Sequence, residues 1–207
     1  MKQTLLMATG FLLLGTLGAA VAAPTVEVSG KIELHDLNMA SDDALEGLDM
    51  VMETAGALFN YREKHNAWPQ GLTDAFASDA PTLNMIIWGK DEVSVRWELG
   101  PVPAEGRELK MIRVFWSMED GLRNRVNVKF AVRDVATGEW RDVCAYVKVV
   151  GNDRWAEDNT YRSLTLRFPA GEVRNFDAIR MYEGAAVASI YPPRWVEVDA
   201  FVGPPAP

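Results

Sequence analysis

The residues best suited to chemistry in this 207-residue chain are aromatic rings set among amides and charges. The segment GNDRWAEDNTY, residues 151 to 161, holds Trp155 together with Asp153, Arg154, Asn159 and Tyr161. SMEDGLRNR, residues 117 to 125, gathers Glu119, Arg123, Asn124 and Arg125, and FASDAPTLNMIIWGKDE, residues 76 to 92, offers Asn84 and Trp88. A flat ring covers the apolar face of a sugar while amides, carboxylates and guanidiniums exchange hydrogen bonds with its hydroxyls, so this mixture suits carbohydrate recognition. Trp155 leads the set, because its strongly polar neighbours make a buried role hard to arrange. Trp88, flanked by Ile86 and Ile87, fits core packing as readily as ligand contact.

Catalysis has less to work with. There is no G-x-S-x-G, no H-E-x-x-H, no phosphate-binding glycine loop and no paired-cysteine metal motif. Only His35 and His65 are available as imidazole bases. The single cysteine, Cys144 in RDVCAYVKV, reads as a buried strand residue. The neighbouring acids Glu119-Asp120 and Glu157-Asp158 read as solvated loop tips, although two carboxylates are all that a glycosidase requires. The expectation is a non-catalytic binding protein.

Charge narrows the partners. A net charge of -8 with no basic run repels nucleic acid and anionic membrane surfaces. The chain opens with Lys2, an apolar run from Leu5 to Leu17 and the small-residue pattern Ala20-Val21-Ala22. This reads as a signal peptide, residues 1 to 22, cleaved after Ala22, which predicts a secreted or periplasmic protein with no membrane insertion after cleavage. The remaining stretch, about 185 residues, suffices for one well-buried domain.

The elements that must position these residues change character along the chain. TVEVSGKIELHDL, residues 25 to 37, alternates like a strand pair broken at Gly30. From Asp43, Leu45, Leu48, Met52, Ala55 and Phe59 recur every three or four residues, which predicts an amphipathic helix ended by Pro69. Residues 23 to 65 are therefore expected to hold a strand and a helix. Beyond residue 90 the period becomes two. Strands are expected at 93 to 99, 110 to 116, 126 to 134, 140 to 149, 161 to 168, 176 to 182 and 194 to 202. The turn DVATGEW, residues 134 to 140, joins two of them. Trp97, in phase with Val95 and Leu99, is expected to fill the core, and Trp140 to cap it. Strands without intervening helices predict an all-β antiparallel sandwich, a jelly roll of about eight strands over residues 66 to 203, with a short tail at 204 to 207.

The order of signals goes further: Leu72-Thr73-Asp74, Trp97-Glu98-Leu99-Gly100, KMIRVFW, VNVKFAV, Trp140-Arg141-Asp142-Val143, LTLRFP, FDAIRMY and Trp195-Val196-Glu197-Val198-Asp199. Over roughly residues 66 to 202 this order resembles the galactose-binding-like jelly rolls, the discoidin or coagulation-factor type C group that includes many carbohydrate-binding modules. The resemblance implies a ligand held by loops at one end of the barrel, which brings forward Trp155, Arg123, Asn124, Arg125, Asn159, Tyr161 and Trp88. It also implies a structural calcium ion held in part by Asp74 and Glu197. Asp74 is followed by Ala75 and Phe76 where family loops continue with glycine, so Asp74 serves equally as a turn cap. An exported module for a protein partner remains the alternative on the same fold. A pseudopilin-like envelope protein is the third reading. LFNYREKHNAWPQGL loosely resembles the stretch after a pilin's long helix, but no glutamate follows Gly10-Phe11 where a prepilin site carries one.

Overall fold

Strand β7, Arg125–Asp134, shows how alternation becomes a layer. Val126, Val128, Phe130 and Val132 are buried, while Asn127, Lys129 and Arg133 on the opposite face are half-buried. The computed structural model describes residues 22–29, 42–53, 57–60, 85–88, 92–117, 125–150, 161–184 and 194–205. Within them the remaining strands are β1 (Thr25–Val28), β2 (Met50–Met52), β3 (Ala57–Asn60), β4 (Met85–Trp88), β5 (Val93–Glu98), β6 (Glu108–Ser117), β8 (Trp140–Asp142), β9 (Val147–Val150), β10 (Tyr161–Arg167), β11 (Phe176–Glu183) and β12 (Arg194–Gly203).

These strands form two antiparallel sheets. The first runs β1-β10-β6-β12-β4-β3; the second runs β2-β5-β11-β7-β8, with β9 also paired to β7. Between them lies one core that includes Trp97, Trp116, Trp195, Phe130, Phe176 and Ile112, all fully buried. The all-β sandwich expected from the sequence is therefore present, and Trp97 packs in it with Val95 as its phase requires.

The helix expected from Asp43 is absent from the described residues. Instead, residues 43 to 53 form a strap that closes one side of the sandwich. The Asp43 side chain accepts hydrogen bonds from the Leu45 and Ala200 amides at 3.0 and 2.6 Å, and the Ala44 amide donates to the Ala200 carbonyl at 2.8 Å. Gly47 then turns the chain at a φ of 71°, a left-handed value that glycine adopts without strain. β2 follows and pairs with β5, Met50 opposite Trp97. Leu45 and Met50 point into the core at 0% and 3% exposure. A helix would have satisfied its own backbone; the strap instead gives its backbone to Ala200 of β12 and, through β2, to β5, which it covers. β3 also falls within the expected helix, and residues 61 to 69 lie outside the described residues.

Two further expectations change. The run 140 to 149 is two short strands, because Val143 turns into the core and its amide bonds to the Phe130 carbonyl at 3.0 Å. Cys144 lies in the bend between them, half-buried, with its sulfur accepting from the Phe130 amide at 3.4 Å. Trp140 does not cap the core. It is half-buried, and the Arg180 guanidinium stacks 3.7 Å from its ring centroid.

One end of the sandwich is closed by short, heavily bonded turns. Asp134 accepts from the Ala136 and Thr137 amides at 2.9 and 3.1 Å, and the Gly138 amide returns to the Asp134 carbonyl at 2.8 Å, which makes the turn expected there. Arg107, 8% exposed, donates to the carbonyls of Leu99, Gly100, Pro101 and Phe176 at 2.8 to 3.3 Å. One guanidinium thereby satisfies four acceptors of a non-regular segment.

Candidate functional site

The opposite end is where long segments leave and re-enter the sheets. β6 ends at Ser117, which pairs with both Tyr161, the first residue of β10, and Arg194, the first of β12. In the second sheet Arg125 begins β7 opposite Val150, the last residue of β9, and Glu183 ends β11 opposite Val93, the first of β5. A hydrogen bond from Trp195 Nε1 to Glu183, 2.7 Å, crosses the core and shows that both sets of strand ends lie at the same end. β4 runs toward it too, since Met85 pairs with Trp195 and Trp88 is its last residue.

Three sequence-predicted residues therefore have described backbones at this end: Trp88, Arg125 and Tyr161. Arg123 and Asn124 fall between β6 and β7, and Trp155 and Asn159 between β9 and β10, so the same strand ends frame them in sequence; these four lie outside the described residues. The topology thus brings the strand ends flanking all three sequence segments to one place.

Beneath this end the core is polar. Glu183 is 6% exposed, and burial pushes its carboxyl up to about 8, opposed only in part by the hydrogen bond from Trp195. Trp116 stands opposite Trp195 in the register, and its indole N–H is buried without a hydrogen-bond partner. Nearby, Lys129 lies over the Tyr182 ring at 4.3 Å and the Tyr146 ring at 5.3 Å, and the Tyr146 hydroxyl donates to Glu92. The sequence reading missed Glu183. Its signal was an acid in phase with the buried residues Met181 and Ile179 of a strand.

The residue predicted to hold a metal, Glu197, sits elsewhere, midway along β12 and 4% exposed. Asp199 is two residues on, Asp43 approaches from the strap, and Arg113 reaches across from β6. Burial, then the charges of Asp199 and Asp43, push the Glu197 carboxyl up to about 9. Burial also raises Asp199, against the pull of Arg113, and raises Asp43 to about 7. Asp74, the other predicted ligand, lies outside the described residues. Glu197 and Asp199 share one face in the alternation of WVEVDAF, so their pairing was readable; Asp43 and Arg113 were not, being 156 and 86 residues from Asp199.

No protein family and no curated protein matches the sequence. Among solved structures, the chain is similar to CpGH89CBM32-6 produced by Clostridium perfringens, at 11% identity and a TM-score of 0.42, over 78% of this chain and 99% of that one. A Streptococcus pneumoniae fucose binding module is similar at 9% identity and a TM-score of 0.43, over 77% and 96%. A Ruminococcus gnavus GH29 fucosidase in complex with fucose is similar at 13% identity and a TM-score of 0.47, but this chain covers only 27% of it.

Proposed function

We propose that this is an exported, non-catalytic protein that binds a glycan at the end of the sandwich bearing the long segments. The observation that carries the reading is the convergence of the strand ends at Trp88, Ser117, Arg125, Val150 and Tyr161, which flank every segment rich in aromatic and amide groups. A site of this kind needs a rigid scaffold and variable connections, and the bonded turns at the other end supply the rigidity. Trp155 supplies the stacking platform, with Arg123, Asn124, Arg125, Asn159 and Tyr161 addressing hydroxyls. A glycan array probed with wild type and Trp155→Ala tests it: wild type binds a restricted set of sugars and the variant does not. A folded wild type that binds no sugar overturns the glycan reading.

One observation favours the second reading, a protein partner. Val26 and Val28 of the edge-lying β1 are 45% and 41% exposed, an unusual display of β-branched residues on an outer strand. Export rests on residues 1 to 22, and N-terminal sequencing of the mature protein is expected to begin at Ala23.

A further inference from the structure

The calcium ion implied by the resemblance would be held in part by Glu197, and the groups around Glu197 form a different kind of joint. We infer that the Arg113 guanidinium does the electrostatic work of a cation at this point, joining β6 to β12 without a metal ion bound through Glu197, while Asp43 ties the strap to β12 through the Ala200 amide.

Calcium takes six to eight oxygens at about 2.3 to 2.6 Å. Two of the oxygens here are committed to other partners. Asp199 Oδ2 accepts from Arg113 Nε at 2.8 Å and Nη2 at 2.7 Å. Asp199 lies close enough to Glu197 for its charge to act on it directly. Asp43 Oδ1 is occupied by the Leu45 and Ala200 amides. Asp43 Oδ2 is buried with no hydrogen-bond partner. Among the described residues no group of three or more His, Cys, Asp or Glu is placed to hold a metal ion.

The cation already present is fixed. Its guanidinium lies 4.8 Å from the Phe115 ring centroid and 5.4 Å from that of Phe201. A divalent ion brought to the same carboxyls would meet that positive charge at close range in a region of weak screening. The other charges facing the cluster, Asp42 on Asp199 and Glu46 on Asp43, come from the strap itself.

Calorimetric titration of the purified, chelator-treated protein with calcium chloride tests the inference, alongside thermal melts in calcium and in EDTA. The expected result is no binding, or binding that Glu197→Gln leaves unchanged, with equal wild-type melting temperatures if no calcium binds. Saturable calcium binding that Glu197→Gln abolishes overturns it. Arg113→Gln is expected to melt below wild type, with Arg113→Lys between them; a melting temperature for Arg113→Gln equal to wild type also overturns it. If Arg113→Gln does not fold, the wild-type and Glu197→Gln titrations decide.

Discussion

The two ends of the sandwich solve different problems with the same strands. At one end the chain reverses within the few residues between Asp134 and Trp140, and the longer stretch from Leu99 to Arg107 is tied down by a single buried guanidinium. At the other end two connections run to ten residues, 151 to 160 and 184 to 193, and among the described residues the hydrogen bond between Trp195 and Glu183 links the sheets beside the buried, unpartnered indole N–H of Trp116. The difference teaches where stability and recognition are divided. Bonded turns can hold a sandwich together, which frees the opposite connections to vary in sequence without costing the fold.

Substitutions should separate the two ends by size of effect. Arg107→Ala leaves four carbonyls without their donor and is expected to cost about 4 kcal/mol in urea unfolding, with sugar binding retained by the folded fraction. A loss under about 1 kcal/mol would show that the bonded end does not carry the fold. Leu45→Ala, which empties a fully buried site in the strap, is expected to cost about 3 kcal/mol. A cost near zero would return residues 43 to 53 to a peripheral role.

Glu183 gives the long-segment end a pH signature. Folded, it keeps its proton to about pH 8; unfolded, it releases it near its ordinary value of 4.5. The native state therefore binds more protons between these values, and stability falls as pH rises through that window, by on the order of 1 kcal/mol per pH unit. Glu183→Gln keeps a neutral side chain throughout and is expected to make the slope shallower, Asp43 and Glu197 continuing to contribute in the same direction. Equal slopes for the two proteins would mean that the carboxyl is not buried as described. The smallest stability effect belongs to Trp155→Ala, expected within about 0.5 kcal/mol of wild type, as for a surface residue whose role is binding.

Much of this was readable in the sequence, for identifiable reasons. β5, β6, β7, β10, β11 and β12 each bury one face against one core, so a period of two survives in the residue order. The strap defeated the same reasoning. Leu45, Leu48 and Met52 are spaced as on a helix, yet Asp43 and Gly47 make a turn, and Ala200 of β12 together with the edge of β5 offers the backbone better partners than a helix containing two glycines. Trp140 opens its strand as expected but lies on the outer face, opposite Arg133 and against Arg180, while Cys144 falls in the bend at Val143 that breaks the strand. At the candidate site, segment composition picked out residues whose neighbouring strands end at one end of the sandwich. The Asp43–Arg113–Asp199 joint stayed hidden because its members come from three distant stretches.

The account turns on whether the end bearing the long segments binds sugar. A glycan array comparing wild type with Trp155→Ala, both shown to melt cooperatively at similar temperatures, measures this most directly. Selective binding by wild type, lost in the variant, is the predicted result; a folded wild type silent on every glycan, or a variant that binds as well as wild type, contradicts it.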